Sequence, residues 1–539
     1  MTDKKVLDVG HRITDVSNAP RDDNTNKNAP ELKNVVFLHL DLGIGGAEAL
    51  VLQLAASSQS LGHHVQILTT RCDQDHCFAV VKSPNGILAK NVQVRGRWIP
   101  ANIMGMGTAL CSNLRVLYLA AYLCFGGNDC EVDLVVLDVL PSPLWWLQWF
   151  TSSSLLFYCH FPDKLLIRNN ATLGSAAAIN RKSPYRRLMD KVEEWCIPMA
   201  DSILVNSKFT QRIVLQEFPF LVPGDLQVLY PALDTDAMDN NNNNNSNDDK
   251  APHQTLSNEN ESKEDSDDPQ PPKRNQQRVT IVSLNRYERK KKIELILQAY
   301  ALICDKYPPK TIQIVIAGGY DTQNVENVEY RGELETLAFQ TLGLRKDDVQ
   351  FLTSISDARR TQLLSDARCV VYTPPNEHFG IVPIEVMYAA TPVIACNSGG
   401  PLETILDNKT GFLCDPTPEA FADAINKLLM APQKAKDMGR AGRQHVLETF
   451  GTQRLAKEWD HFTQQAHERG QRRIHLTRQN KGRSVVMAMI KVLFMYLREA
   501  MLAFLVILAV AYLLRYFGIM EHDESITGLM RRRFRSDEF

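Results

Sequence analysis

An apolar run at residues 35–40 ends in a glycine-rich turn; residues 47–61 then repeat apolar positions with a helical period, and 65–68 is again a short apolar run. Strands buried on both faces read as continuous apolar runs, so this order predicts a βαβ unit opening a doubly wound domain. Further strands are predicted at 134–137, 155–158, 202–206 and 227–230, with a helix at 186–197. A second series begins at 279–284 and continues through 293–302, 312–317, 334–342 and 368–372. Pro383 then suits the first turn of a following helix. The pattern therefore predicts an α/β chain with two doubly wound, Rossmann-like domains, 34–233 and 279–450, facing a cleft. Ligands of such sheets bind beyond the strands' carboxyl ends, which makes the loops after strands the candidate sites.

Elsewhere the periodicity fails in informative ways. Residues 1–33 are polar without an apolar stretch, which reads as a disordered leader and not a secretory signal. The linker insertion 234–278 contains an unbroken asparagine run at 240–245, then Asp, Glu, Ser and Pro with no apolar period, a composition that cannot bury a core. A C-terminal helix and basic connector are expected over 451–484, and a basic tail over 520–539. Between them, 485–519 is a membrane-associated segment whose stretch 501–514 carries no charge. A single span and a re-entrant hairpin both fit its length; basic residues on both flanks favour keeping both ends on one side. A buried pair of core helices, with Arg498 and Glu499 paired, is the competing reading. The cluster Leu144, Trp145, Trp146, Trp149 and Phe150 suits either a core or a membrane interface.

With 539 residues and 44% hydrophobic composition, the chain has material for two or three real cores. Sixty Lys plus Arg against 62 Asp plus Glu leave a net charge of −2, so no general attraction to nucleic acid is implied and any anion site is local. Eleven cysteines without CxxC pairs read as reduced thiols of a cytosol-facing protein. Cys72, His76 and Cys77 lack a second ligand pair at zinc spacing and read as a surface loop.

Candidate chemistry concentrates in residues 375–403. Glu377 falls in the loop at a strand's carboxyl end, and Glu385 is expected in the first turn of the next helix. Around Gly380, Ile381 and Val382 the helix start offers unpaired amides suited to an anion. A carboxylate there can accept hydroxyl hydrogen bonds from a sugar or ribose while the amides neutralise a departing diphosphate. Arg286 follows the strand at 279–284, and Lys291 lies within the basic cluster 289–292; fixed cations at a strand end suit the same diphosphate. His160 ends an apolar strand, where a buried histidine serves a sugar hydroxyl or the core. Gly43, Gly45 and Gly46 make a tight turn, but Glu48 stands where the dinucleotide fingerprint needs its third glycine.

These segments carry a resemblance. Together with 375–403, the phrases Gly43-Ile44-Gly45-Gly46-Ala47-Glu48, Phe157-Tyr158-Cys159-His160-Phe161-Pro162-Asp163 and Asn285-Arg286-Tyr287-Glu288-Arg289-Lys290-Lys291 resemble the retaining GT-B glycosyltransferases of family 4. The likeness covers about residues 34–233 and 278–470, and within the family the phrases closely resemble those of the dolichol-pathway mannosyltransferases. It implies a GT-B fold with C-terminal membrane-associated helices. It also implies transfer of mannose from GDP-mannose to dolichyl-diphosphate-linked Man-GlcNAc-GlcNAc, with α-1,3 and α-1,6 linkages, in N-glycan precursor assembly. The expected setting is the endoplasmic reticulum membrane with the catalytic domains in the cytosol, in company with other dolichol-pathway transferases and no nucleic acid.

For individual residues the resemblance implies that Arg286 and Lys291 hold the diphosphate, with Lys290 as the register alternative to Lys291. Glu377 would contact the donor sugar near the reacting carbon, Glu385 the ribose, and His160 the donor sugar from the opposite domain. His378, Phe379, Gly380, Ile381 and Val382 fill the donor loop, and Gly45 and Gly46 lie where donor phosphate and acceptor meet. Retention is expected through same-face attack, with double displacement on Glu377 still open. No cofactor or metal is expected: the DxD strings 73–75 and 234–236 both lie away from the main site segment. Two alternatives remain, another family 4 enzyme with a different nucleotide sugar or lipid acceptor, and a non-catalytic nucleotide-binding scaffold.

Overall fold

A computed structural model describes residues 33–102, 107–126, 131–165, 184–235 and 278–479. The leader, the asparagine-rich insertion, the apolar segment 485–519 and the tail lie outside the described residues.

The N-terminal half is a seven-stranded, all-parallel sheet of order β3-β2-β1-β4-β5-β6-β7. Its strands are β1 (Asn34–Leu42), β2 (His64–Cys72), β3 (Val92–Val94), β4 (Leu134–Asp138), β5 (Ser154–Cys159), β6 (Ser202–Val205) and β7 (Leu226–Val228). The connecting helices are α1 (Gly46–Ser60), α2 (Thr108–Phe125), α3 (Leu144–Phe150), α4 (Pro184–Cys196) and α5 (Lys208–Glu217). The C-terminal half is a six-stranded parallel sheet of order β10-β9-β8-β11-β12-β13. It comprises β8 (Val279–Leu284), β9 (Ile312–Gly318), β10 (Val349–Thr353), β11 (Ala367–Tyr372), β12 (Val393–Cys396) and β13 (Gly411–Cys414). Its helices are α6 (Glu294–Ala301), α7 (Val325–Thr336), α8 (Asp357–Asp366), α9 (Ile381–Tyr388), α10 (Pro401–Thr404), α11 (Pro418–Met430) and α12 (Pro432–Thr449).

In both sheets the strand order reverses beside the first strand of the half, so β1/β4 and β8/β11 are the switch points where loops diverge and leave a crevice. Every residue of β4 and β5 is buried, as continuous apolar strands covered on both faces should be. Helix α2 is long and apolar enough to cross a membrane by length and composition, yet its Val116, Leu119, Ala120 and Leu123 belong to the core of the N-terminal half. The predicted helix 334–342 divides instead: α7 ends at Thr336 and a π-helical turn occupies Leu337–Thr341.

The two halves are tied by the chain's return. Leu233 N donates to Phe450 O at 2.9 Å, and α13 (Thr452–Gln479) then runs back over the N-terminal sheet. Trp459, fully buried there, donates from its indole to Ser58 Oγ at 2.7 Å and sits 6.1 Å from the Phe37 ring. Truncating a tryptophan so enclosed costs about 3–5 kcal/mol.

Candidate active site

On the C-terminal side, the site is assembled from loops leaving β8, β9, β10 and β11. Arg286 follows β8, with its side chain 63% exposed and Glu288 as an ionic neighbour at 3.1 Å. Glycines make the approach possible: a Cβ on Gly318 would stand 1.8 Å from Asn285 O, and one on Gly319 would be 3.2 Å from the Arg286 side chain. Lys291 turns inward, and its Nζ lies 2.5 Å from Glu377 Oε2; Tyr372 OH donates to the same oxygen at 3.1 Å. Lys290, the register alternative, points instead to Glu288 at 3.0 Å. Burial alone would lift the Glu377 pKa, but the Lys291 ammonium outweighs it and holds the carboxyl below its ordinary value. Arg286, Lys291, Gly319, Asp357, Arg360 and Val382 border a cavity of about 270 Å³.

The loop carrying Glu377 is braced from behind. Gly400 N donates to Glu377 O at 2.7 Å, and Asn376 N donates to Ser398 Oγ at 3.0 Å. At Gly399, φ is 70° and a Cβ would meet Glu377 O at 2.4 Å, so no other residue fits. Gly380, at φ 85°, starts α9 from the left-handed region. Because α9 begins at Ile381, Glu385 is its fifth residue and stands at the second turn, one step past the expected first turn. It is ion-paired with Arg360 of α8, yet burial pushes its pKa up by more than Arg360 draws it down.

On the N-terminal side a buried cluster crowns β1, β4 and β5. His39 Nδ1 lies 2.8 Å from Asp138 Oδ1, and its Nε2 lies 2.9 Å from Asp41 O. Both ring nitrogens thus face acceptors, which is satisfied only by the imidazolium. Burial by itself would lower the His39 pKa, but Asp138 reverses that and raises it; the pairing in turn holds Asp138 at about 2 against the opposite pull of burial. His160 Nε2 lies 3.3 Å from Asp138 Oδ2. An ionised Asp138 can only accept, so Nε2 carries the proton and Nδ1 is the basic nitrogen. The Gly45-Gly46 turn borders this cluster: Glu48 folds back over Gly45 and adds to the field raising the His39 pKa, while Gly46 faces open space.

The two sides meet directly. Phe161 stacks on His378 with ring centroids 3.7 Å apart, and Ser207 Oγ donates to His378 O at 2.5 Å. Glu403 accepts from Lys208 N at 2.8 Å and Phe209 N at 2.6 Å, capping α5 from across the cleft. His160 and Glu377 are therefore each one residue from an interdomain contact. Burial drops the His378 pKa to about 4, so its ring is neutral.

Of the residues expected from sequence, Arg286, Lys291, Glu377, Glu385 and Val382 gather around the cavity or its rim, and His160 with Gly45 and Gly46 lies on the facing wall. His378 serves the interdomain contact, and Phe379 is turned into the core, stacked on Tyr230 at 5.9 Å. Asp138, His39, Asp357, Arg360 and Glu403 were not anticipated. Asp138 was within reach, since it is a charge directly after the apolar run 134–137, the same signal that drew attention to His160.

Two facing parallel sheets with a cation-lined crevice define a GT-B glycosyltransferase. Residues 44–237 match the family described as Glycosyltransferase Family 4, and 264–445 match Glycosyl transferases group 1. Among solved structures, sucrose-phosphate synthase from Thermosynechococcus elongatus shares the fold with TM-score 0.57 and 21% identity, over 80% of this chain and 98% of that one. Anabaena Alr3699/HepE in complex with UDP does so with TM-score 0.53 and 17% identity, over 79% and 98%. Closer in sequence is the protein named Alpha-1,3/1,6-mannosyltransferase ALG2 of Rhizomucor pusillus, 39% identical over 437 residues, 77% of this chain and 88% of that one. Its namesake in Homo sapiens is 39% identical over 433 residues, 79% and 94% of the two chains. The chain belongs to this α-1,3/1,6-mannosyltransferase family.

Proposed function

We propose that the chain transfers mannose from GDP-mannose to dolichyl-diphosphate-linked Man-GlcNAc-GlcNAc, forming α-1,3 and α-1,6 linkages with retention, at the cytosolic face of the endoplasmic reticulum membrane. The names of its relatives support the mannosyl reaction and its two linkages. The observation that carries the chemistry is the Lys291–Glu377 pair at 2.5 Å beside the cavity that Arg286 also borders. Cations fixed there stabilise the charge that builds on a leaving diphosphate, and the first-turn amides of α9 add to them.

Glu385, held by Arg360, accepts from ribose hydroxyls. Oε2 of Glu377 is held by Lys291 and Tyr372, which leaves Oε1 to accept from a sugar hydroxyl. A carboxylate so engaged is a weak nucleophile, which favours same-face attack over double displacement; a phosphate oxygen then takes the acceptor proton. His160 faces the donor sugar from the other wall, oriented by Asp138. In this reading Arg286 and Lys291 do the work a metal ion does in other transferases, so chelation with EDTA should leave turnover unchanged, and recovery of lost activity by a divalent cation would contradict it.

The direct test is incubation of the purified chain with labelled GDP-mannose and the lipid-linked acceptor, followed by linkage analysis. A product carrying both linkages is expected. Transfer from another nucleotide sugar, with none from GDP-mannose, would overturn the donor assignment.

A further inference from the structure

A surface helix normally turns its apolar stripe inward, and α4 does the reverse. Its inward residues are Arg186, Asp190 and Glu193, all buried. They are bonded in place: Arg186 Nη2 donates to Asp163 Oδ2 at 2.7 Å, and Arg186 Nε to Asp190 Oδ1 at 3.0 Å. Glu193 accepts from the amides of Asp163 and Lys164 at 2.7 and 3.0 Å. Outward, α4 presents Leu188 at 59% exposure and Trp195 at 73%, with Tyr185 on the same stripe. Arg187 and Lys191 are exposed beside them.

This stripe continues onto neighbouring helices. Leu110 N donates to Tyr185 OH at 2.7 Å, so α4 starts against the start of α2. At the other end of α2, Phe125 is 62% exposed and lies edge-on to Trp146 and Phe150 of α3, at 6.1 and 5.6 Å. One apolar surface therefore runs from α4 across α2 to α3.

The position of α13 indicates what covers it. Arg473 donates to Ser153 O at 2.8 Å and Arg478 to Ser152 Oγ at 3.5 Å, which brings the last turns of α13 beside the residues that directly follow α3. The described chain thus ends at the α3 edge of this surface, and the basic residues Lys481 and Arg483 and the apolar sequence 485–519 come next. Aromatic residues with flanking cations are the composition of an element lying in the headgroup region of a membrane with anionic lipid.

We propose that α4 is an interfacial helix, lying in the plane of an anionic bilayer with Leu188 and Trp195 inserted and its charged face bonded to the protein. The N-terminal half then contacts the membrane independently of segment 485–519, and a lipid-linked acceptor reaches the cleft along the same surface. Only that last consequence rests on the function proposed above.

The test uses the full chain in phosphatidylcholine vesicles with a minority of phosphatidylserine, and takes the emission difference between wild type and Trp195→Phe as the signal of Trp195. Quenching of that signal by brominated acyl chains, with protection from aqueous iodide, is expected. Quenching by iodide alone would show a stripe in water, and protection from both would show a stripe covered by protein; either overturns the proposal. The double variant Leu188→Glu, Trp195→Glu should lower transfer to a long-chain lipid acceptor in vesicles about tenfold while sparing a short soluble analogue. Equal effects on the two acceptors would contradict it. Absence of transfer by the wild type would count against the proposed function and leave the quenching result standing.

Discussion

The two walls of the cleft handle charge in opposite ways. On the N-terminal wall the charges are answered by protein: His39 has acceptors at both nitrogens, Asp138 lies between two histidines, and Arg115 donates to Asp41 Oδ2 at 2.9 Å. On the C-terminal wall Arg286 stands mostly in solvent, and the Lys291–Glu377 pair borders an open cavity. The first arrangement fixes one histidine in one protonation pattern. The second leaves positive charge to be completed by a ligand. In the proposed reading one fold repeated twice therefore supplies a positioning wall and an anion-binding wall, and the difference lies in how far the strand-end charges are withdrawn from solvent.

The largest break in that contrast should come from Lys291→Ala, which removes a cation from the anion-binding wall and leaves Glu377 buried without it. Turnover with GDP-mannose should fall about 10³-fold. A loss below about tenfold in initial rates would show that the ammonium does not face the leaving group.

Next in size is Asp138→Asn on the positioning wall. With His160 no longer held in one tautomer, kcat should fall about 10- to 100-fold with the donor KM little changed. The same variant tests the pairing through pH. The folded pKa of His39 is raised, so its stabilising contribution is present below the unfolded value near 6.5 and is lost as pH rises through the folded value. Asp138 is depressed, so its contribution is present above about 4 and is lost as pH falls toward about 2. The thermal midpoint of the wild type should therefore be highest between these limits, and that of Asp138→Asn should be flatter across them. An unchanged profile would separate Asp138 from the histidines.

The smallest expected effect sharpens the contrast within the anion-binding wall. Arg360→Ala should raise the donor KM about tenfold and leave kcat nearly intact, because in the proposed function Arg360 acts on ribose recognition through Glu385. Burial already lifts the Glu385 pKa, and removing Arg360 lifts it further, so the KM defect should grow as pH falls. A pH-independent defect would mean that Arg360 contacts the donor by itself.

What the sequence made legible follows from how each feature is encoded. Strands such as β1, β4, β5, β8 and β9 are predominantly apolar runs and were placed within about two residues. Helix α2 escaped notice because TALCSNLRVLYLAAYLCF is apolar nearly all round and shows no stripe to count. β3, three residues long, carries too few for a period, and in β10 Gln350 and Thr353 leave no continuous apolar run. Arg286, Lys291, Glu377 and His160 were legible as polar residues just after strands. Arg360 and Glu403 were not, since their partners lie 25 residues away in sequence for Arg360 and some 195 for Glu403, and only the folded crossing brings them together. Phe379 shows the converse: the resemblance implied a place in the donor loop, while the left-handed turn at Gly380 leaves its ring in the core.

The central claim, that the C-terminal wall grips a nucleotide's diphosphate through Arg286 and Lys291, is tested most directly by calorimetric titration of wild type, Arg286→Ala and Lys291→Ala with GDP and with GMP. Each substitution should weaken GDP about 10- to 100-fold and leave GMP, which lacks the β-phosphate, within about threefold. Equal losses for both nucleotides, or no loss for GDP, would place the diphosphate elsewhere and contradict the account.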